Sequence, residues 1–312
     1  MDAESVTLLG VSAKYIDSVR KAGLRPRDTH SLATLRTVCS TGSPLSPEGF
    51  AWVYGAVATD AHLASISGGT DLCGCFVGGD PTRPVWSGEI QGPMLGMATD
   101  VADDSGGTMR DRPLVPGELV CRTAFPSMPL GFWGDGAPGV PNPDRPGPKF
   151  IAAYFERLAG MWAQGDFASW TRHGGMIIHG RSDTTLNPGG VRIGTAEIYR
   201  VVEQHPQVLE SCVFGQEHDN DVRVVLLVRL AEGVGLTEEL VVDLKARIRA
   251  ACTPRHVPAL VLQVADLPRT RSNKLVELAL ADAVNGRPVR NSEAIANPEC
   301  LQAIASMPEL RR

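Results

Sequence analysis

A few short segments of this chain combine glycine, hydroxyl and charged residues in ways that suit ligand chemistry. Ser67-Gly68-Gly69-Thr70-Asp71 follows an apolar run and sets two glycines beside a hydroxyl and a carboxylate. Such a segment can admit a ligand to its backbone, yet read alone it is first a turn. Gly165-Asp166, after a Trp-containing stretch, also reads as a turn, although a carboxylate there can hold a vicinal diol through two hydrogen bonds. Gly180-Arg181-Ser182-Asp183 places an arginine and an aspartate two residues apart at the end of a strand-like run. As a surface pair they would contribute about 0–1 kcal/mol. Ser40-Thr41-Gly42-Ser43-Pro44 is a turn of small residues, and Lys274, taken singly, is a solvated lysine. Cys73 and Cys75 are the only close pair among seven cysteines, and the seven histidines are scattered. No second ligand pair stands at zinc spacing, so reduced thiols are the expectation.

The elements that must carry these residues can be read from periodicity. Ala13 to Ala22 has helical spacing, and Thr34 to Cys39 reads as a buried strand running into the Gly42 turn. Ser46-Pro47-Glu48 is a helix start, with serine as N-cap and proline in the first turn, and the helix should run to about Ala58. A strand over Ala61 to Ile66 then delivers the glycine-rich segment. Alternation between residues 85 and 125 predicts hairpins, with Gly117-Glu118-Leu119-Val120 opening one strand. Residues 131–149 read as a long loop, followed by a short helix over Ala152 to Leu158. From Met176 onward strands and helices alternate: strand to Gly180, helix Thr195 to Glu203, strands Val208 to Phe214 and Val222 to Leu230, helix Leu236 to Ala251, strand Ala259 to Val264, helix Asn273 to Ala283, then a polar tail. That alternation predicts a compact α/β domain of about 100 residues.

The chain has 312 residues, with 30 Lys+Arg against 35 Asp+Glu, so no net positive field favours nucleic acid. Hydrophobic residues make up 43%, which argues for a globular core, and the 5% aromatic content suggests that the core is mainly aliphatic. No apolar run is long enough to span a bilayer, and Asp2 and Glu4 stand where a signal peptide would be basic. The expectation is a soluble, cytoplasmic protein with no membrane partner.

The order of the segments carries more than any one of them. Gly42-Ser43-Pro44, Gly68-Gly69-Thr70-Asp71, Gly117-Glu118-Leu119-Val120, Gly165-Asp166, Gly180 to Ile198 and Pro268-Arg269-Thr270-Arg271-Ser272-Asn273-Lys274 follow one another in a succession that resembles the adenylate-forming acyl-CoA synthetase superfamily. Within it the chain looks most like the acetoacetyl-CoA synthetase family. Ser12-Ala13-Lys14-Tyr15, residues 32–47, Ser65 to Asp71, Gly180 to Arg200, Gly286-Arg287-Pro288-Val289 and Ala296-Asn297-Pro298-Glu299 point there. The resemblance covers nearly the whole chain but only the second half of such an enzyme.

The resemblance implies an α/β fold in two parts. Residues 1–182 would be the rear of a large adenylation domain, with mixed sheets and a β-rich segment. Residues 183–312 would be a small, mobile α/β C-terminal domain with a polar tail, hinged near Asp183. It implies a ligase that joins ATP, acetoacetate and CoA into acetoacetyl-CoA, AMP and pyrophosphate through an acyl-adenylate. By resemblance Gly42, Ser43 and Pro44 line the adenine site, Gly69, Thr70 and Asp71 lie by the phosphates, and Asp71 holds Mg²⁺. Asp166 and Arg181 reach the ribose, Arg192 contacts phosphate or assists the second conformation, and Gly190 leaves room for CoA. Lys274 is the catalytic cation of adenylation. Gly68 borders the acyl pocket, where acetyl-CoA synthetases place a tryptophan, so glycine would leave space for acetoacetate. The alternative is a glycine required by backbone shape alone.

The sequence departs from the superfamily in two places. The Ser/Thr/Gly-rich phosphate loop ending in Pro-Lys is absent from these 312 residues. Losing one preorganised donor costs roughly 10²–10³ in rate, so the chain alone is expected to be impaired or silent, or completed by a second polypeptide. Asn273 replaces the glycine usual before the catalytic lysine, and asparagine tolerates positive φ better than most residues. A synthetase for another short acid, acetate or propionate, is the alternative within the enzyme class.

Overall fold

The computed structural model describes residues 1–135, 146–188, 191–219, 221–271, 273–289 and 292–311. The chain divides into two compact units, Met1–His179 and Gly180–Arg312.

The first unit opens with alternating strands and helices: β1 (Leu8–Ser12), α1 (Ala13–Lys21), β2 (Thr37–Thr41), α2 (Pro47–Ala56) and β3 (His62–Ser65). Parallel strands need crossovers, which the helices supply, and β1-β2-β3 form a parallel sheet. Ser12 caps α1 by accepting from the Tyr15 amide at 3.0 Å, and Ser46 caps α2 by accepting from Gly49 at 3.2 Å. Ile16, Phe50 and Val53 bury these helices against Val38 and Leu63 of the sheet.

A β-rich segment follows. β4 (Ser67–Gly69), β5 (Gly74–Gly78) and β6 (Gly92–Pro93) form an antiparallel sheet. β7 (Thr99–Ala102), β8 (Gly117–Cys121), α3 (Pro148–Tyr154), β9 (Trp162–Trp170) and β10 (Met176–Arg181) come next, and the second sheet has the order β10-β9-β8-β7. The few aromatic residues are concentrated here. Phe76, Phe125, Phe150, Tyr154, Trp162 and Trp170 share one buried cluster with Leu72, Val77, Ile90, Val101 and Leu119, while the buried residues of the chain as described are mainly aliphatic, as expected.

The second unit contains α4 (Thr195–Val202), β11 (Val208–His218), β12 (Asp221–Leu230), α5 (Glu238–Ala251), β13 (Leu260–Gln263), α6 (Glu277–Val284) and α7 (Pro298–Ala305). β12 lies between an antiparallel β11 and a parallel β13. Its nearly continuous apolar sequence reflects cover on both faces. Val224, Leu226 and Val228 meet Ile198, Leu244 and Ile248. Val225 and Leu227 meet Leu280, Leu301 and Ile304 on the other side.

Two expectations change in this unit. Asn273 to Ala283 was expected to be one helix, but α6 begins at Glu277 and Asn273 sits at φ 64° in a turn. The polar tail is folded: α7 and its flanks bury Ile295, Leu301, Ile304 and Leu310. Among the described residues, no helix is long and apolar enough to cross a membrane.

Candidate functional site

In open parallel sheets, ligands bind beyond the carboxyl ends of the strands. β2 and β3 are parallel, with Ser40 opposite Ser65, so the segments that follow them leave from the same end. After β2, Gly42 turns the chain at φ 83°, followed by Ser43 and Pro44. After β3, the Ile66 amide donates to the Ser40 carbonyl at 2.9 Å and leads into Ser67 to Asp71. The first unit therefore places Gly42–Pro44 and the glycine-rich segment at one end of the same sheet.

The glycine-rich segment is a strand and a tight turn. Ser67–Gly69 form β4, and Thr70 to Cys73 make the turn into β5, closed by the Cys73 amide donating to Thr70 at 3.2 Å. Leu72 is completely buried and anchors the turn, while Thr70 and Asp71 stay exposed.

The Asp71 carboxylate is held in place. Tyr154 donates its hydroxyl to Oδ2, and Gln164 Nε2 donates to both oxygens at 3.1 and 3.2 Å. Trp162 Nε1 fixes Gln164 by donating to its Oε1 at 2.7 Å, and the Tyr154 ring stacks on Trp162 with centroids 3.7 Å apart. Asp135 pins the start of α3, which carries Tyr154, by accepting from the amides of Lys149 and Phe150. Gly69 makes room for this network, since a Cβ there would stand 2.6 Å from Gln164 Nε2.

Gly165-Asp166 does not form the turn expected of it. It lies within β9 at an irregularity in the β8–β9 register, between the pairs Val120↔Ala163 and Glu118↔Phe167. Gly165 takes φ 80° there, as a bulge requires, and the bulge locally redirects Gln164 and Asp166. Asp166 is buried.

Among the described residues no three His, Cys, Asp or Glu groups come together as a metal cage. Mg²⁺ is usually held by one or two carboxylates together with substrate phosphates and water. A single oriented carboxylate at Asp71 fits an ion completed in that way.

Gly68 packs its backbone closely against β5. A Cβ there would lie 2.0 Å from the Gly74 carbonyl oxygen and 2.5 Å from Cys75 Cα. The missing side chain is required by the close approach of β5, so the backbone-shape alternative accounts for this glycine.

In the second unit, Arg181 forks onto Asp183, with Nε and Nη2 at 3.3 and 3.2 Å from its two oxygens. The Thr184 and Thr185 hydroxyls donate back to the Arg181 carbonyl, which closes this segment into a turn. Arg192 is exposed beside an antiparallel bridge between Leu186 and Ile193. Gly190 lies outside the described residues.

Lys274 is exposed at the end of a hairpin turn. The Thr270 amide donates to the Lys274 carbonyl at 2.8 Å, and Arg269 bridges to Leu275. Asn273 supplies the left-handed residue of this turn, which is the conformation glycine or asparagine tolerates best. Arg269 ion-pairs with Glu210, which also pairs with Arg229 of β12.

Three residues beyond Lys274, Glu277 accepts from the Tyr199 hydroxyl at 2.6 Å. Burial pushes the Glu277 carboxyl up, with Asp183 adding to the shift, while bonds from Tyr199, Thr184 and Thr195 oppose it. Burial likewise raises the Tyr199 hydroxyl well above the ordinary tyrosine range.

Sequence reasoning missed Tyr154, Gln164 and Glu277. The signals present were the i, i+2 spacing of Trp162 and Gln164 on one strand face and a lone glutamate at the start of α6.

Residues 197–274 match the AMP-binding enzyme C-terminal domain. Acetoacetyl-coenzyme A synthetase of Rhizobium meliloti (strain 1021) is 58% identical over 309 residues, covering 99% of this chain and 46% of that protein. Along nearly its whole length the chain is similar to the C-terminal half of acetoacetyl-CoA synthetases. The Xenopus tropicalis acetoacetyl-CoA synthetase is 40% identical over 100% of this chain and 45% of its own length. The solved acetoacetyl-CoA synthetase from Streptomyces lividans superposes with a TM-score of 0.87 at 38% identity, covering all of this chain and 46% of that one. The chain thus spans about half the length of the acetoacetyl-CoA synthetases it matches, and the matched part is their C-terminal half.

Proposed function

We propose that the protein takes part in the AMP-forming ligation of acetoacetate to CoA, with residues 1–182 belonging to the adenylation domain and 183–312 to a mobile C-terminal domain. The observation that carries this reading is the 58% identity to an acetoacetyl-CoA synthetase along 99% of the chain. The choice of acetoacetate over acetate or propionate rests on that likeness and not on Gly68.

The chemistry is positioning and charge neutralisation. Gly42, Ser43 and Pro44 would receive the adenine, with Gly69 and Thr70 beside the phosphates. Asp71, oriented by Tyr154 and Gln164, would hold Mg²⁺, whose role is to neutralise phosphate charge. Asp166 would accept from the ribose hydroxyls. Arg181 would share its guanidinium between the ribose and Asp183, the proposed hinge. Arg192 would meet phosphate or support the second conformation, and Gly190 would leave space for CoA.

Lys274 would stabilise charge on the carboxylate and the α-phosphate during adenylation. A compact cation on a flexible stem suits a group needed in one half-reaction only. CoA thiolate would then attack the acyl carbonyl and AMP would leave.

These 312 residues contain no Ser/Thr/Gly-rich loop ending in Pro-Lys. That function falls to another part of the protein or, in a second reading, to a separate polypeptide.

The test is Lys274→Ala in the active protein. Adenylate formation, followed by acetoacetate-dependent exchange of pyrophosphate into ATP, should be lost. Thioester formation from supplied acetoacetyl-adenylate should survive. Equal loss of both half-reactions would remove Lys274 from the assigned role, and turnover faster with acetate than with acetoacetate would remove the substrate.

A further inference from the structure

The match to the AMP-binding enzyme C-terminal domain ends at residue 274, so the tail beyond α6 lies outside it. That tail folds back onto the hairpin that carries Lys274. The Ala296 amide donates to the Arg269 carbonyl at 2.7 Å, and the Arg271 amide donates to Ala294 at 3.3 Å. Thr270 and Ile295 form an antiparallel bridge.

Asn297 is the centre of this attachment. Its Oδ1 accepts from the Arg269 amide at 2.9 Å, and its Nδ2 donates to Asp266 Oδ2 at 2.8 Å and to the Leu267 carbonyl at 3.0 Å. One side chain therefore ties the strand entering the hairpin to the tail. α7, which follows directly, anchors the tail through buried Leu301 and Ile304. The Arg269 side chain is held by Glu210.

We propose that the tail is a strap that sets the position of Lys274, and that Asn297 is its principal positioning residue. The proposal rests on the assignment of Lys274 to adenylation. A lysine at the end of a hairpin reaches a defined point only if both strands of the hairpin are fixed. The Thr270 to Lys274 turn closes one end, and Asn297 fixes the other. Asn297 touches no reacting atom in this account and acts through the backbone of residues 266–269.

The test compares Asn297→Ala and Asn297→Asp in the full protein, with Lys274→Ala alongside. Asn297→Asp sets a carboxylate against Asp266 and removes the donor. Adding Asp266→Asn returns a donor to that pair. The single variants should lower adenylate formation on the order of 10- to 10²-fold, since small misplacements of a catalytic group cost that much. Thioester formation from supplied acetoacetyl-adenylate should stay within about twofold, because Lys274 serves only the first half-reaction. The double variant should recover most of the loss.

Amide hydrogen exchange gives a readout that does not depend on activity. The Thr270 and Lys274 amides should exchange faster in Asn297→Ala, while those of β11 and β12 stay protected. Parallel loss of both half-reactions, unchanged exchange at the hairpin, or adenylation at the wild-type rate would each overturn the proposal. If Lys274→Ala itself spares adenylate formation, the assignment of Lys274 fails, and the exchange data still decide whether Asn297 holds the hairpin.

Discussion

Tyr154→Phe removes one oxygen from the first unit and leaves its ring in place. The ring stacks on Trp162 at 3.7 Å with planes 15° apart, and phenylalanine keeps that contact. What disappears is the hydrogen bond from the hydroxyl to Asp71 Oδ2. Hydrogen bonds to charged groups contribute about 1.5–3 kcal/mol when buried. Asp71 is exposed, so solvent screening reduces this to about 1 kcal/mol. With a urea slope of about 1–3 kcal/mol/M, the midpoint should fall by about 0.3–1 M.

All five tryptophans, at 52, 86, 133, 162 and 170, lie in the first unit, so tryptophan fluorescence follows that unit alone. The decisive form of the experiment is a double-mutant cycle with Asp71→Ala. The coupling between the two positions should be about 1 kcal/mol. Additivity within about 0.3 kcal/mol would refute the claim that Tyr154 orients Asp71.

Two further predictions concern single positions. Glu277 has a folded pKa above its ordinary value, so the folded state holds this proton more tightly than the unfolded state. Its contribution is fully present below the ordinary glutamate value and is lost as pH rises through the folded value. Glu277→Gln keeps an acceptor for Tyr199 and removes that slope, so the variant should gain on the wild type as pH rises. Chemical denaturation followed by far-UV circular dichroism would measure this, and a pH-independent difference would defeat it. Gly68→Ala drives a Cβ to 2.0 Å from the Gly74 carbonyl, so it should destabilise the first unit by at least about 1–3 kcal/mol. Gly68→Trp should fail in the same way and not redirect the enzyme toward acetate. A well-folded Gly68→Trp protein with altered acyl preference would restore the pocket reading.

The strand and helix alternation was legible wherever one face or both faces of an element were buried. Val224 to Val228 read as a buried strand because α4 and α5 cover one face and α6 and α7 the other. The serine cap at Ser46 marked the start of α2 in sequence and structure alike, whereas the Ser12 cap of α1 emerged only in the structure. The tail was harder to read because its apolar residues Ile295, Leu301, Ile304 and Leu310 are spaced out among polar ones. They are buried only because β12 presents a second apolar face that something must cover.

The proposed site residues divide along a similar line. Asp71, Asp166 and Lys274 were visible as residue types in order, since carboxylate, turn and lysine chemistry is written in the side chains themselves. What holds them was not visible, because it depends on contacts distant in sequence. Tyr154 reaches Asp71 across 83 positions, and Asn297 reaches Arg269 across 28. Gly68 shows the converse. A missing side chain looks the same in sequence whether it clears space for a ligand or for the neighbouring strand. At Gly68 an added Cβ would fall 2.0 Å from the Gly74 oxygen, so the neighbouring strand alone is enough to require glycine. Because a Cβ at Gly68 would meet the β5 backbone, a variant there must be checked for folding of the β4–β5 hairpin before any change in acyl preference is read from it.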